Sequence, residues 1–354
     1  MSSSLDPNSS INGSFLNSSS SPLKQNTPFW ILNVTQSYTI PFTVCYALIL
    51  ALSVVGNTSI IAIVSRNASM RSTINYLIAN MAATDLVSSI VVISQYFSIV
   101  HNFSYEWKVP GVLGKIFCKL CPFIRDVSLA VSVFSMVSIA FDRFFAVVFP
   151  MRRTPRLLHL RVLLPIIWCL SLGTFTVHLF NYQTISIQGV NLCFHKWPLG
   201  DSETVFYFSK LIGLFLVPLA IIAILYTLIA LRMRRQKIPG QQSSDATERR
   251  RRRNNNVLKT SVTIVFFFFL CWCPYQILLF KKLVIWGAKG IPKTLASSVQ
   301  VLTHVFNLLS YMSLAINPYI CFAFSSNYRN RAKSLFPFSL FFINRVSNDS
   351  IRMT

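Results

Sequence analysis

The chain has 354 residues, of which 53% are hydrophobic and only 12% are charged, and its mean hydropathy is +0.52. A water-facing surface needs far more charge, so these values exclude an ordinary soluble protein and indicate a membrane protein. The formal net charge of +23 is concentrated in a few linkers, which argues against a nucleic-acid-binding surface.

The first predicted element is a disordered extracellular segment, residues 1–38. This segment is rich in Ser and Asn and lacks the apolar core of a cleavable signal peptide, so the first membrane span is expected to direct insertion. N-glycosylation sequons predict modification here and in the first outer loop, at Asn8, Asn12, Asn17, Asn33 and Asn102.

Seven apolar stretches are each long enough to cross a bilayer as a helix. The hydrocarbon core is about 30 Å thick and requires about 20 helical residues, because each backbone polar group must be satisfied within its own segment. The stretches are residues 39–65, 74–101, 115–149, 159–181, 204–233, 256–285 and 295–322. The predicted fold is therefore all-α, a seven-transmembrane-helix bundle at residues 39–322.

The charges of the linkers predict the orientation. Basic residues follow the odd-numbered spans, for example Arg66, Arg152, Arg249 to Arg253, and Arg329. Such linkers are cytoplasmic by the positive-inside rule, so the N-terminus is extracellular in a multi-pass plasma-membrane protein. The linker at residues 236–255 is expected to be a mobile polar connector.

Two further segments follow the seventh span. Residues 323–335 combine Phe324, Tyr328 and Leu335 with interleaved basic residues, which predicts a short amphipathic eighth helix on the inner leaflet. Residues 336–354 form the predicted cytoplasmic tail, whose serines are candidate phosphorylation sites for recruiting arrestin.

Two spans carry carboxylates at positions where burial is costly. Asp85 lies mid-span and is either a protonated, hydrogen-bonded carboxyl or, with oxygens from Ser132 and Asn317, a sodium site. Asp142 and Arg143 end the third span. Arg143 either extends to the interface or pairs with Asp142 until a partner protein offers other contacts.

Proline is expected to kink each of the last three spans, because it removes a backbone hydrogen bond. These prolines are Pro218, Pro274 and Pro318, and bulky neighbours include Tyr226, Phe268 and Trp272. Core packing alone explains any one of these neighbours, but a kink beside bulky side chains is also a suitable hinge.

The motifs follow one another in a specific order, one set per span over residues 39–330. They are Gly56-Asn57, Asn80…Asp85, Cys118, Asp142-Arg143-Phe144, Trp168, Pro218 with Tyr226, Cys271-Trp272-Cys273-Pro274 and Asn317-Pro318. This ordered set resembles the signature of the rhodopsin-like G-protein-coupled receptors. The resemblance implies a receptor, not an enzyme, that activates a heterotrimeric G protein when its sixth helix swings outward. The implied activation residues are Asp142, Arg143, Tyr226, Phe268, Trp272, Asn317 and Pro318.

Three positions depart from the family pattern. Phe144 replaces the tyrosine of the Asp-Arg-Tyr motif, and Cys321 replaces the tyrosine of Asn-Pro-x-x-Tyr. Asn254 stands near the place where an acid often locks the motif arginine. We hypothesise raised basal signalling from the missing lock.

A disulfide is expected between Cys118, at the outer start of the third span, and Cys193, in the second outer loop. The extracellular side is oxidising, and the resemblance implies the same pair.

A ligand cavity is predicted below this bridge. Arg125 lies two turns past Cys118, about 10 Å deeper on the same face. Asp126 could neutralise it, although adjacent helical residues point about 100° apart.

Helical spacing and the resemblance predict the ligand-binding residues of this cavity. They are Gln95, Arg125, Leu129, Lys210, Trp272, Tyr275, Gln276, Leu279, His304, Asn307 and Tyr311. The alternative for each is hydrogen bonding between helices or extension of the side chain to the interface.

The second outer loop, Cys193-Phe-His-Lys-Trp197-Pro198, resembles the Cys-x-x-x-Trp-Pro pattern of neuropeptide receptors related to those for RFamide, tachykinin and orexin-like peptides. His195 and Lys196 replace the acids often found there, so we expect a peptide that presents negative charge to Arg125 and Lys210. A receptor for an anionic small molecule or lipid is the first alternative, and a seven-span transporter is a remote one. Phosphate-loop, metal and nucleophile-elbow motifs of enzymes are absent from the sequence.

Overall fold

The structure is a computed structural model that describes residues 36–101, 107–149, 155, 158–187, 190–197, 202–235, 245–286 and 290–335. The predicted glycosylation sites and the predicted tail at 336–354 lie outside these residues, and the side chain of Asn254 is not described.

Among the described residues, seven helices are long and apolar enough to cross a membrane, which confirms the predicted fold class. We label them in chain order, counting each span as one helix. They are α1 (Gln36–Arg66), α2 (Thr73–His101), α3 (Gly111–Val148), α4 (Leu160–Phe175, continued by Val177–Asn181), α5 (Ser202–Leu211 and Val217–Arg235), α6 (Asp245–Phe280) and α7 (Ala296–Phe324). The predicted amphipathic helix follows as α8 (Ser326–Leu335).

Two helices contain wider turns. The two parts of α5 are joined by a π-helical turn at Ile212–Leu216, directly before Pro218, and α6 ends in a second π-helical turn at Lys281–Trp286. Proline cannot donate to the helical ladder, so a locally wider turn next to Pro218 relieves the clash and redirects the side chains above it.

The bundle is packed around α3, which contacts α2, α4 and α5, while α1 packs against both α2 and α7. Gly56 on α1 permits the close approach to α7, since a Cβ at this position would lie 3.0 Å from Pro318 Cβ. Large apolar side chains such as Leu48, Ile90 and Leu170 are exposed, as expected for helices that face lipid.

Two features of the fold differ from the sequence prediction. The helix of the sixth span begins at Asp245, so the second half of the predicted polar connector is helical. The second outer loop contains an unpredicted antiparallel hairpin of β1 (Tyr182–Ile187) and β2 (Val190–His195), in which Thr184 pairs with Cys193.

Candidate functional site

The hairpin is fixed above the outer end of the bundle by a disulfide. Cys118 at the start of α3 is bonded to Cys193 in β2, which confirms the predicted pair. Backbone hydrogen bonds add to this attachment, with Trp107 N donating to Asn191 O at 2.7 Å and Lys196 N to Asn181 O at 2.9 Å. The hairpin therefore has a fixed position over the outer end of the bundle, and we call it the roof.

A cavity of about 180 Å³ lies below this roof between α3, α5, α6 and α7, and we call it the outer cavity. Eight of the predicted ligand-binding residues line it together. They are Arg125, Lys210, Trp272, Tyr275, Gln276, Leu279, Asn307 and Tyr311.

The other three predicted ligand-binding residues lie elsewhere. Leu129 lines a smaller cavity below the outer one. His304 is buried, with its ring 5.8 Å from that of Phe42 on α1, because it lies nearly two turns further out on α7 than Tyr311. Gln95 is half-buried on α2 and lines neither cavity. Neighbouring Tyr96 packs on Tyr311 at 5.2 Å, which closes this side of the bundle.

Asp126 lies at the centre of a buried charge cluster that the sequence did not predict in full. Its Oδ1 accepts from Arg125 Nε at 3.1 Å, and its Oδ2 accepts from Lys210 Nζ at 2.7 Å and His178 Nε2 at 2.9 Å. The long arginine side chain bends back to its neighbour despite their different directions on α3. We call these four residues the Asp126 cluster.

The second outer loop and the outer end of α5 supply lining residues that were not among the predicted ligand-binding residues. They are Tyr182, His195, Trp197, Glu203, Phe206 and Tyr207. Burial raises the pKa of the Tyr182 phenol, which therefore lines the cavity as a neutral hydrogen-bonding group. His195 Nε2 lies 2.9 Å from Glu203 Oε1 and joins the roof to α5.

A second, inner cavity of about 10 Å³ lies deeper in the bundle around Asp85. Asp85 accepts hydrogen bonds from Ser132 Oγ at 3.2 Å, Ser128 Oγ at 3.5 Å and Asn317 Nδ2 at 3.1 Å. The predicted set of Asp85, Ser132 and Asn317 is thus assembled from three helices.

Two further oxygens at the inner cavity, Ser88 Oγ and Asn317 Oδ1, are buried without a hydrogen-bond partner. Buried polar atoms normally have partners, and a cavity of about 10–15 Å³ holds one water or ion. A carboxylate with neutral oxygens is the ligand set of a hard cation, so the residues fit a sodium ion.

Bulky rings connect the two cavities to the middle of the bundle. Trp272 Nε1 donates to Ser313 Oγ at 3.0 Å, and its ring lies 6.2 Å from Phe268 and 6.0 Å from Phe215. Trp272 therefore contacts α5 and α7 at once, directly below the outer cavity.

Near the C-terminal end of α3, Arg143 Nη2 lies 2.6 Å from Asp142 Oδ2, so the adjacent pair forms. Cys321, at the position of the missing tyrosine, is fully buried. A tyrosine that the prediction assigned only to the amphipathic face, Tyr328 on α8, lies nearby and donates to Asn75 Oδ1 at 3.0 Å.

Comparison with known proteins agrees with this architecture. The family model "7 transmembrane receptor (rhodopsin family)" matches residues 56–320. The QRFP-like peptide receptor of Branchiostoma floridae is 28% identical over 316 residues, which cover 87% of this chain and 80% of the relative.

Two further relatives share less of their length with this chain. The Tachykinin-like peptides receptor 86C of Drosophila melanogaster is 25% identical over 83% of this chain and 59% of its own. The Substance-K receptor of Homo sapiens is 28% identical over 74% of this chain and 65% of its own. This chain thus spans less than two thirds of those two proteins. Because the family model covers most of the bundle, the chain belongs to the rhodopsin family of seven-transmembrane receptors, which are signalling receptors and not enzymes.

Proposed function

We propose that the protein is a plasma-membrane receptor that binds an extracellular peptide in the outer cavity and activates a heterotrimeric G protein. The observation that carries this proposal is the outer cavity itself, a polar and aromatic cavity beneath a disulfide-fixed hairpin. Two relatives of the chain are named as peptide receptors. The N-terminus is extracellular in this proposal, and arrestin is a further partner.

The size of the outer cavity indicates how much of a peptide enters. Pockets that enclose a drug-sized ligand measure about 300–1,000 Å³. The 180 Å³ of the outer cavity is smaller, so it accommodates one end of a peptide. The remaining residues would contact the hairpin and the outer end of α5.

The cytoplasmic end supplies the coupling element. Arg143 is held by Asp142 at 2.6 Å, and G-protein binding would replace this contact. The predicted activation residues Phe268 and Trp272 lie between the outer cavity and that end, and so they are suited to transmit a change in ligand occupancy.

A sodium ion at Asp85 is proposed as an allosteric modulator. Ser88 and Asn317 each contribute a partnerless buried oxygen to the inner cavity, and Asp85 contributes the negative charge. A cation there would satisfy these atoms and hold α2 and α7 in one arrangement.

The test is expression in cells that carry energy-transfer sensors for the G-protein classes, exposed to pools of synthetic peptides. A peptide that activates the wild type, with Arg143→Ala abolishing the response at equal surface expression, would support the proposal. If anionic small molecules or lipids activate the receptor and none of the peptides does, the proposed peptide ligand is wrong and the alternative ligand class takes its place.

A further inference from the structure

The Asp126 cluster determines how much charge the deep end of the outer cavity presents to a ligand, since the other carboxylate of the lining, Glu203, contacts His195 at the roof. Arg125 and Lys210 are cations, and Asp126 carries one negative charge between them. The Nδ1 atom of buried His178 has no hydrogen-bond partner. A protonated ring would leave a buried N–H unsatisfied there, so the neutral tautomer that donates from Nε2 to Asp126 is favoured. The cluster therefore carries a net charge of +1.

The two cations are not equally available. Lys210 makes the shorter contact with Asp126, at 2.7 Å, and its Nζ lies 5.5 Å from the centre of the Phe175 ring. Its side chain is 18% exposed, whereas that of Arg125 is 30% exposed. Arg125 contacts Asp126 through Nε and also hydrogen-bonds the Tyr182 phenol, and a guanidinium group has further N–H donors for another partner. The excess charge thus faces the cavity at Arg125.

The surroundings of Arg125 favour a planar anion at the end of a chain. Arg125 lines the outer cavity and also the inner cavity, so it lies at the floor of the outer one. The end of a peptide can enter a cavity of 180 Å³ and extend to its floor. An acidic side chain in the middle of a peptide would have to enter together with the backbone on both sides of it. A guanidinium group binds a carboxylate through two parallel hydrogen bonds.

We infer that the ligand inserts a free terminal carboxylate with a single negative charge, and that Arg125 binds this carboxylate while Asp126 keeps Lys210 neutralised. This inference rests on the proposed function and names the chemical class that the outer cavity accepts. It differs from the expectation that Arg125 and Lys210 both bind the ligand.

The first experiment compares two forms of one peptide collection. Tripeptides that end in Phe, Tyr, Trp or Leu are made with a free C-terminal carboxylate and again with a C-terminal amide, and G-protein activation is measured for both. The acid form is expected to be about 10- to 100-fold more potent, the range for one charge-assisted contact. Equal potency of acid and amide would overturn the inference and leave the peptide function standing.

Variants then separate Arg125 from Lys210. In Arg125→Gln, the acid and amide forms should be equally potent, so that the acid-to-amide potency ratio is about one. Arg125→Lys should retain part of the preference for the acid. The double variant Asp126→Asn/Lys210→Gln removes one charge of each sign, so the net charge stays at +1. Peptides should keep their acid-to-amide potency ratio on this double variant, even if all of them become less potent. Loss of the ratio would identify Lys210 as the ligand contact and overturn the inference. Surface expression of each variant is measured with an N-terminal epitope tag.

A second measurement does not depend on activation. The thermal midpoint of purified receptor is recorded with millimolar N-acetyl-phenylalanine and with its amide. The acid should raise the midpoint of the wild type but not of Arg125→Gln, because a ligand stabilises the state that it binds. If no peptide activates but this shift appears, the inference stands and the peptide function fails. If neither effect appears, the inference fails too.

Discussion

Replacing Asp126 by leucine tests whether the Asp126 cluster stabilises the bundle. The substitution leaves Lys210 buried without a counter-ion, and it removes the acceptor for His178. Removing one partner of a buried ion pair costs about 3–5 kcal/mol, because the remaining charge is uncompensated. At about 2 °C per kcal/mol for a chain of this size, the thermal midpoint should fall by about 6–10 °C.

The free cysteines provide the assay. Cys121, Cys271 and Cys321 are buried, so a thiol-reactive fluorescent dye reports their exposure as purified receptor is heated. The double variant Asp126→Leu/Lys210→Met restores the net charge of the cluster and should recover about half of the loss. The remainder is the unsatisfied His178 donor, worth about 1–3 kcal/mol.

A more exposed contact in the same region, between a histidine and a glutamate, is the matched control. His195 and Glu203 also lie 2.9 Å apart, but their side chains are 36% and 45% exposed. Such pairs contribute about 0–1 kcal/mol, so Glu203→Gln should shift the midpoint by less than about 2 °C. If Asp126→Leu lowers the midpoint no more than this control, burial does not strengthen the cluster and the reasoning is wrong.

Four further outcomes are expected. Sodium chloride should raise the thermal midpoint relative to choline chloride in the wild type but not in Asp85→Asn, and an equal effect in both would remove the sodium proposal. Cells that express the receptor without ligand should signal more than mock-transfected cells, and Asn254→Glu should lower that signal. Tyr328→Phe loses a buried hydrogen bond worth about 0.5–1.5 kcal/mol, so its midpoint should fall by about 1–3 °C in the dye assay. Cys193→Ser should lower the midpoint by more than Tyr328→Phe does, because the bridge closes a long loop.

The transmembrane helices could be predicted from the sequence because each obeys one strong constraint. A span must be apolar for about 20 residues and must satisfy its own backbone, so hydropathy alone locates it. Helix ends were harder to place. The sixth helix extends at its N-terminal end to Asp245 through a polar stretch, and neither length nor hydropathy marks its start.

The hairpin of the second outer loop was missed although a signal was present. Residues 185–192 alternate Ile, Val and Leu with polar residues around a Gln-Gly pair, which is the pattern of two short strands and a turn. Its residues Tyr182 and His195 line the outer cavity. The prediction used this loop for Cys193, for the Trp197-Pro198 pattern and for the basic charge of His195 and Lys196, and it placed neither Tyr182 nor His195 among the ligand-binding residues.

The face of α5 was also only partly predicted. Glu203, Phe206 and Lys210 follow one another at helical spacings of three and four, so the prediction of Lys210 implied the other two. The contact of His178 with Asp126 could not be obtained in this way. It joins α3 to the outer end of α4, and its existence depends on how the two helices pack.

Three residues line both cavities, which gives a ligand a physical route to the centre of the bundle. Arg125, Trp272 and Tyr311 form part of the wall of the outer cavity and of the inner cavity that contains Asp85. A carboxylate at Arg125 would draw that side chain towards itself and change the shape and charge of the inner cavity. The cation that fits beside Asp85 and the ligand above it would then oppose or assist each other, and linkage requires the effect to be reciprocal. Sodium should therefore change the affinity of an acid-ended peptide by the same factor as the peptide changes the affinity of sodium, and this coupling should vanish in Asp85→Asn.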